Sequence, residues 1–419
     1  MPETDPQILR QLFDVAVKSA LPRNVLPQVL PPKPSTGRLA VVAIGKAAAA
    51  MAAALEDHWG PADGIALTRY GHVVPVSGME VIEAAHPVPD EAGQAAAQRI
   101  LDLAQTLGEG DQLVVLLSGG ASSLMTLGLG QISLAEKVAL TKELLASGAD
   151  ITEMNTVRRH LSAIKGGRLA KAAWPARCVT YAISDVPGDI PTAIGSGPTV
   201  GDPTTQAQAR EVLARYGITP TQEIARVLND PINESPFEDD PHLCRAEYHL
   251  IASPQMMLEA VQAAAPLPCH MLGDAIEGEA RQLGRAMAGM AKAIAEGKSS
   301  FKAPCLLISG GETTVTLPKG CSGRGGRNVE FLMGFAAGIA GCAQISALAC
   351  DTDGVDGAAE VAGAVVDGCS AEKAEVSGYP LGKAMSNYDG HGLFERLGDQ
   401  VITGPTHTNV NDFRAILVR

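Results

Sequence analysis

The sequence predicts a layered α/β protein of two domains. Three observations carry that expectation. Short apolar runs without alternation, at 39–44, 113–117, 178–184, 305–308 and 345–350, have the pattern of strands covered on both faces. They alternate with longer stretches of helical periodicity, beginning with 8–20, where apolar residues recur on one face before Pro22. Aromatic residues are only 4% while alanine and glycine are plentiful, so the core must be small aliphatic side chains packed between layers. At 419 residues the chain exceeds one ordinary core, which sets the domain count at two or three.

In order, strand 39–44 ends in Gly45 and Lys46, and an alanine-rich helix follows over 47–56. A helix N-terminus carries unpaired N–H groups and a partial positive charge, so a lysine beside it makes a phosphate-friendly turn. The spacing is not that of a Walker A loop. His86 precedes a proline-rich turn and a helix over 91–107. Strand 113–117 opens into Ser118, Gly119, Gly120, Ala121, Ser122 and Ser123, a turn able to present N–H groups and hydroxyls to a ligand. Ser133 and Glu136 form a capping box for a helix ending near Gly148, and Asn155 is expected to cap the next helix. Arg158, Arg159, His160, Lys165, Arg168 and Lys171 make the most basic stretch of the chain, fitting either a solvated face or an anion site.

Strand 178–184 leads into a long glycine- and proline-rich loop over 185–205, where Asp185 and Asp189 stand close enough to the strand end to hold Mg²⁺ or orient a hydroxyl. The aperiodic segment 229–242 is the best domain boundary, which gives domains of 1–236 and 237–419. Beyond it come a strand at 248–252, a helix over 255–265, a strand at 269–272 and a long helix reaching Gly297.

Strand 305–308 breaks into Ser309, Gly310, Gly311 and Glu312, echoing the turn at 118–123. A second glycine frame holds Arg324 and Arg327, whose planar forks suit phosphate or carboxylate oxygens. A helix over 328–341 and strand 345–350 lead to the loop 351–357. Its acids sit at loop positions 1, 3 and 6 with Ala362 at position 12, which excludes an EF-hand and leaves Mg²⁺ or hydroxyl binding open. Strands at 400–402 and 413–418 close the chain.

Composition removes several function classes. Thirty-three basic against 46 acidic residues give a formal charge of -13, which disfavours nucleic acid and anionic membrane as partners and confines any anionic substrate to a local basic pocket. The eight cysteines sit singly, without a C-x-x-C pair, as reduced core residues. No histidine pair has the spacing of a helical zinc site, and no run approaches eighteen apolar residues. The expected location is cytoplasmic.

Taken together, IGKA at 44–47, HPVPDEAG at 86–93, SGGASS at 118–123, NTVRRHLSAIKGG at 155–167, SDVPGD at 184–189, SGGETTV, GRGGRN, TDG at 352–354 and TGPTHTNVND resemble the glycerate 2-kinases of the MOFRL class. The resemblance covers most of the chain. It implies a Rossmann-like first domain, a MOFRL second domain, and an active-site cleft between them. It also implies ATP-dependent phosphorylation of D-glycerate at its 2-hydroxyl. The family's lysine matches Lys46 and its arginine matches Arg327.

The expected assignments follow from that reading. Lys46 and Arg327 brace the phosphoryl, and Gly45, the 118–123 turn, Gly310, Gly311 and Glu312 meet the nucleotide. Arg158 or Lys165 takes the glycerate carboxylate, Asp185 or Asp189 holds Mg²⁺, and Asp189 or Asp353 accepts the hydroxyl proton. Arg327→Ala is expected to lower turnover by at least ~10² with the fold intact. Two alternatives are a nicotinamide-dependent hydroxypyruvate reductase, for which no G-x-G-x-x-G is present, and a non-catalytic binder of nucleotides or organic acids. The assignment leaves room for a homodimer.

Overall fold

The structure is a computed structural model that describes residues 4–318, 320–357 and 359–419. The chain divides into two compact units. One comprises Pro22–Ile251, and the other combines Met1–Leu21 with Ala252–Arg419.

In the first unit, β1 (Leu39–Ile44), β2 (Asp63–Arg69), β3 (Met79–Ala84), β4 (Gln112–Leu117), β5 (Arg177–Ile183) and β6 (Ala246–Ala252) form one sheet in the order β3-β2-β1-β4-β5-β6. β1 pairs in parallel with both β2 and β4. The winding reverses between β1 and β4, which makes a Rossmann-like doubly wound sheet with its switch point at the carboxyl ends of those two strands. All six residues of β4 are buried, as the unbroken apolar run requires. Val42, Ile44, Leu67, Val115 and Leu117 belong to the core under the helices.

A separate apolar cluster, including Leu140, Leu144, Val157, Leu213 and Leu228, joins the helices Leu134–Ser147, Ile151–His160, Gln206–Arg215 and Gln222–Asn229. Ser133 and Glu136 make the expected capping box, and Gly148 ends that helix at φ 80°. The next helix is capped by Asp150 paired with Glu153, three positions into the helix, so Asn155 lies inside the helix and does not cap it.

The second unit holds β7 (Cys269–Gly273), β8 (Gly278–Glu279), β9 (Cys305–Ser309), β10 (Thr313–Thr314), β11 (Ile345–Asp351), β12 (Gly363–Asp367), β13 (Gln400–Val401) and β14 (Asp412–Val418). Its main sheet is mixed, ordered β13-β12-β11-β14-β9-β7, with β14 antiparallel to β11 and β9, and β7 parallel to β9. The last strand is therefore central and buried along its whole length. The helix Asp5–Ser19 packs on this unit, where Phe13 stacks on Phe413 at 6.3 Å and the Thr408 hydroxyl donates to the Ala20 carbonyl at 2.6 Å.

This division departs from a boundary at 236/237 at both ends. The 248–252 strand belongs to the first sheet, and the first helix belongs with the second unit. Both follow from pairing and apolar cover that join residues far apart in the chain.

Candidate functional site

In the first unit, the ends of β1 and β4 are stitched into one turn. Gly45 sits at φ 127°, and a Cβ there would lie 2.2 Å from the Ser118 hydroxyl. Only glycine allows the two loops to meet so closely. The Lys46 N–H donates to the Gly119 carbonyl at 2.8 Å, and the Ala47 N–H donates to the Ser118 Oγ at 3.1 Å. Gly120, at φ 81°, precedes the short helix Ala121–Leu124. A Cβ on it would meet the His86 ring at 3.1 Å and the Lys46 side chain at 3.2 Å. Gly45, Lys46, Ser118, Gly119 and Gly120 are thus brought together at the switch point, where doubly wound sheets take ligands.

Next to that turn, Ser122 gathers the two cations expected to hold the substrate. Arg158 donates to the Ser122 Oγ at 2.9 Å, Lys165 donates to the Ser122 carbonyl, and the Ser122 and Ser196 hydroxyls are 2.7 Å apart. Burial is the main cause that lowers both Arg158 and Lys165 from their ordinary pKa values. Ser123 turns instead to the Gly120 carbonyl, at 3.1 Å.

The rest of the basic stretch is structural. Arg159 pairs with Asp202 at 3.0 Å, His160 contacts Glu234 at 3.0 Å, Arg168 donates to the Ser235 hydroxyl at 2.9 Å, and Lys171 pairs with Asp240 at 3.1 Å.

Asp189 lies in the turn Pro187–Asp189 with φ 53°, a conformation rare for a residue with a side chain. Its Oδ1 is buried without a hydrogen-bond partner among the described residues, and so is the Tyr248 hydroxyl, whose pKa is raised by burial and by Asp189. The 185–205 loop also borders a cavity of about 880 Å³ lined by Thr192, Thr199, Asp202, Glu238 and Tyr248. None of the residues expected at the phosphate lines it. Among the described residues no group of three or more His, Cys, Asp or Glu is placed to hold a metal ion. Of the two expected Mg²⁺ ligands, Asp189 has a buried oxygen without a hydrogen-bond partner among the described residues, which fits an ion that takes one or two carboxylates plus phosphates.

In the second unit, Arg327 is the first residue of the helix Arg327–Ile339. The two carboxylate oxygens of buried Asp356 accept the N–H groups of Asn328 and Val329, each at 3.0 Å, and cap that helix. Burial is the first cause that pushes Asp356 up to about 7. Gly326 makes room for this cap, since a Cβ would fall 2.3 Å from the Asp356 carboxyl.

The Arg327 guanidinium donates to Asp412 at 2.8 Å, to Asp351 at 2.8 Å, to the Asn411 amide oxygen at 3.3 Å, and to Glu312. Glu312, expected at a nucleotide, is therefore a partner of Arg327. Gly310 and Gly311 also serve the fold. The Gly310 N–H is taken by the Gly273 carbonyl at 2.9 Å, its carbonyl accepts from buried Arg414 at 2.8 Å, and a Cβ on Gly311 would lie 2.2 Å from the Ile276 carbonyl. The two SGG turns are thus not equivalent. Asp353 is 3% exposed, and its Oδ1 accepts the Val355 N–H at 2.8 Å. Arg324 pairs with Glu395 at the surface.

Residues 8–229 match the family described as a domain of unknown function, DUF4147, and residues 305–412 match the MOFRL family. The chain is 38% identical to a D-glycerate 2-kinase of Thermotoga maritima over 97% of this chain and 98% of that one. It is 49% identical to a protein of Agrobacterium vitis carrying the provisional name hydroxypyruvate reductase, over 98% and 94% of the two chains. A solved glycerate kinase of Thermotoga maritima superposes with a TM-score of 0.89 at 35% identity, over 100% of both chains.

Proposed function

The chain belongs to the glycerate 2-kinase family of the MOFRL class, and from that premise we propose that it transfers the γ-phosphoryl of ATP to the 2-hydroxyl of D-glycerate, giving 2-phosphoglycerate and ADP. The full-length likeness to a solved glycerate kinase carries the reading.

Phosphoryl transfer needs in-line positioning and neutralised charge more than covalent chemistry. The Gly45–Lys46 turn offers a helix N-terminus and a lysine to phosphate oxygens. Half-buried Arg158 and buried Lys165 are cations bonded to neutral oxygens, suited to a carboxylate. Arg327 is the phosphoryl-stabilising cation of the second unit, oriented by Asp412 and Asp351. Asp189 is preferred over Asp353 as acceptor of the hydroxyl proton, because the Asp353 Oδ1 already accepts a backbone N–H. When bound, Mg²⁺ would neutralise charge on the nucleotide phosphates, with Asp185 or Asp189 as the residue that would hold it.

The reductase reading has in its favour the names of two relatives, 49% and 46% identical. Against it, the first turn of the doubly wound sheet carries Gly45 and Lys46 followed by alanines, where a dinucleotide fingerprint needs G-x-G-x-x-G for close backbone approach to a pyrophosphate. Purified protein incubated with ATP, Mg²⁺ and D-glycerate, and in parallel with NADH and hydroxypyruvate, separates the two. Glycerate-dependent ADP release is the expected result, and NADH loss alone overturns it.

A further inference from the structure

Among the described residues, three cations of the first unit have no carboxylate partner. Arg158 bonds the Ser122 hydroxyl and the Asn155 amide oxygen, at 2.9 and 3.3 Å. Lys165, 2% exposed, bonds the Ser122 carbonyl. Lys137, from the helix Leu134–Ser147, donates to the Leu127 carbonyl at 2.9 Å. All of these acceptors are neutral. Among the described residues no carboxylate pairs with any of the three, although the chain carries an excess of acids.

Among their neighbours in sequence, Arg159 and Lys171 each pair with an aspartate, and Arg168, though bonded to neutral oxygens, has the charges of Asp202 and Glu234 nearby. The three unbalanced cations also repel one another. Burial, then Arg158 and Arg168, bring Lys137 down to about 7, and burial, then Arg158 and Lys137, hold Lys165 well below its ordinary value. Buried like charges destabilise a fold unless an anion completes the group.

We propose that Lys137, Arg158 and Lys165 form one subsite for the carboxylate of the hydroxy-acid substrate, and that Lys137 is the specificity-determining third cation. This rests on the kinase reading and names the part of the substrate that these residues hold. A small carboxylate suits the place better than a nucleotide phosphate. The turn expected at the phosphates lies at Gly45–Lys46 and Ser118–Gly120, whereas these cations gather beyond it, around Ser122 and Leu127, with Lys165 almost wholly enclosed.

The test is a kinetic split on Lys137→Met, Lys137→Gln and Lys137→Arg, with Lys171→Met as a surface control, each checked for folding by circular dichroism. Gln retains a donor for the Leu127 carbonyl without the charge, so it stays readable if Met fails to fold. Loss of one charge-assisted contact predicts a rise of ~10-fold or more in KM for D-glycerate in Met and Gln, ATP KM within about 2-fold, and recovery in Arg. An unchanged glycerate KM, or an equal rise in the ATP KM, overturns the subsite.

Calorimetric titration of D-glycerate into the wild type and Lys137→Gln keeps this separate from the kinase reading. Lys137-dependent binding in a wild type without turnover sinks the kinase reading and supports the subsite. Turnover with Lys137-independent binding does the reverse.

Discussion

Arg327 bonds carboxylates of its own unit through Nε and both terminal nitrogens, and two of those acids, Asp412 and Asp351, are buried. Removing the guanidinium leaves Asp412 with Arg414 at 2.9 Å but takes the shared cation from buried Asp351, which changes the expectation of an intact fold. Arg327→Ala should lower turnover by at least ~10² and also cost roughly 3 kcal/mol of stability, read as a lower thermal midpoint. Arg327→Lys should recover part of the midpoint and little of the rate, because a point charge cannot meet three acids as a planar fork does.

Lys137 carries a pH prediction of its own. Its ammonium is held at about 7 by burial and by Arg158 and Arg168, with Lys165 also nearby, against about 10.4 in an unfolded chain. Between these values the unfolded state binds more protons, so stability rises with pH from about 7 toward 10. Lys137→Met lacks this term. Its thermal midpoint relative to wild type should be highest below pH 7 and should lose that advantage toward pH 10. Lys46, Lys165 and Arg327 drew attention in the sequence because each stands beside glycine, and Arg158 because it lies in the most basic stretch of the chain. Lys137 did not, since a lysine on an amphipathic helix reads as solvated until packing encloses it.

At the scale of elements, the contact between the β1 and β4 loops combines a positive φ with close approach of two strand ends. Gly45→Ala combines an unfavourable backbone with overlap on Ser118, so it should cost ~1–3 kcal/mol and displace Lys46. A fall of at least ~10-fold in turnover in protein that is still folded by circular dichroism is the expected outcome. Strands with long apolar runs, such as β1, β4, β9, β11 and β14, were readable from sequence because both of their faces are covered. β2, β3 and β12 were not read, since glycine and charged residues interrupt their short apolar segments. The helices Ser370–Val376, Leu381–Asn387 and Gly390–Leu397 were missed for a related reason, each being too short for periodicity to declare itself.

For the whole molecule, the division into units makes a prediction about fragments. The helix Asp5–Ser19 buries Ile8, Leu9, Leu12 and Phe13 on the second unit. At ~1.5–3 kcal/mol for each large apolar side chain, this cover is comparable with the ~5–15 kcal/mol stability of a whole domain. A fragment of residues 22–251 should unfold cooperatively by itself. A fragment of residues 252–419 should not, and fusing residues 1–21 to it through a flexible linker should restore a cooperative transition in calorimetry. Cooperative unfolding of residues 252–419 alone would show that this helix is dispensable.

The sequence by itself determined the α/β class, the strands buried on both faces, the glycine-framed charges and the family. All of these are written in residues adjacent along the chain. Only the tertiary structure decided that the first helix completes the second unit, that Arg327 is held among acids, that the two SGG turns do different work, and that Lys137 joins Arg158 and Lys165. Each of those depends on which distant segments enclose a side chain. Enclosure sets the cost of its charge, and therefore the partner that it requires.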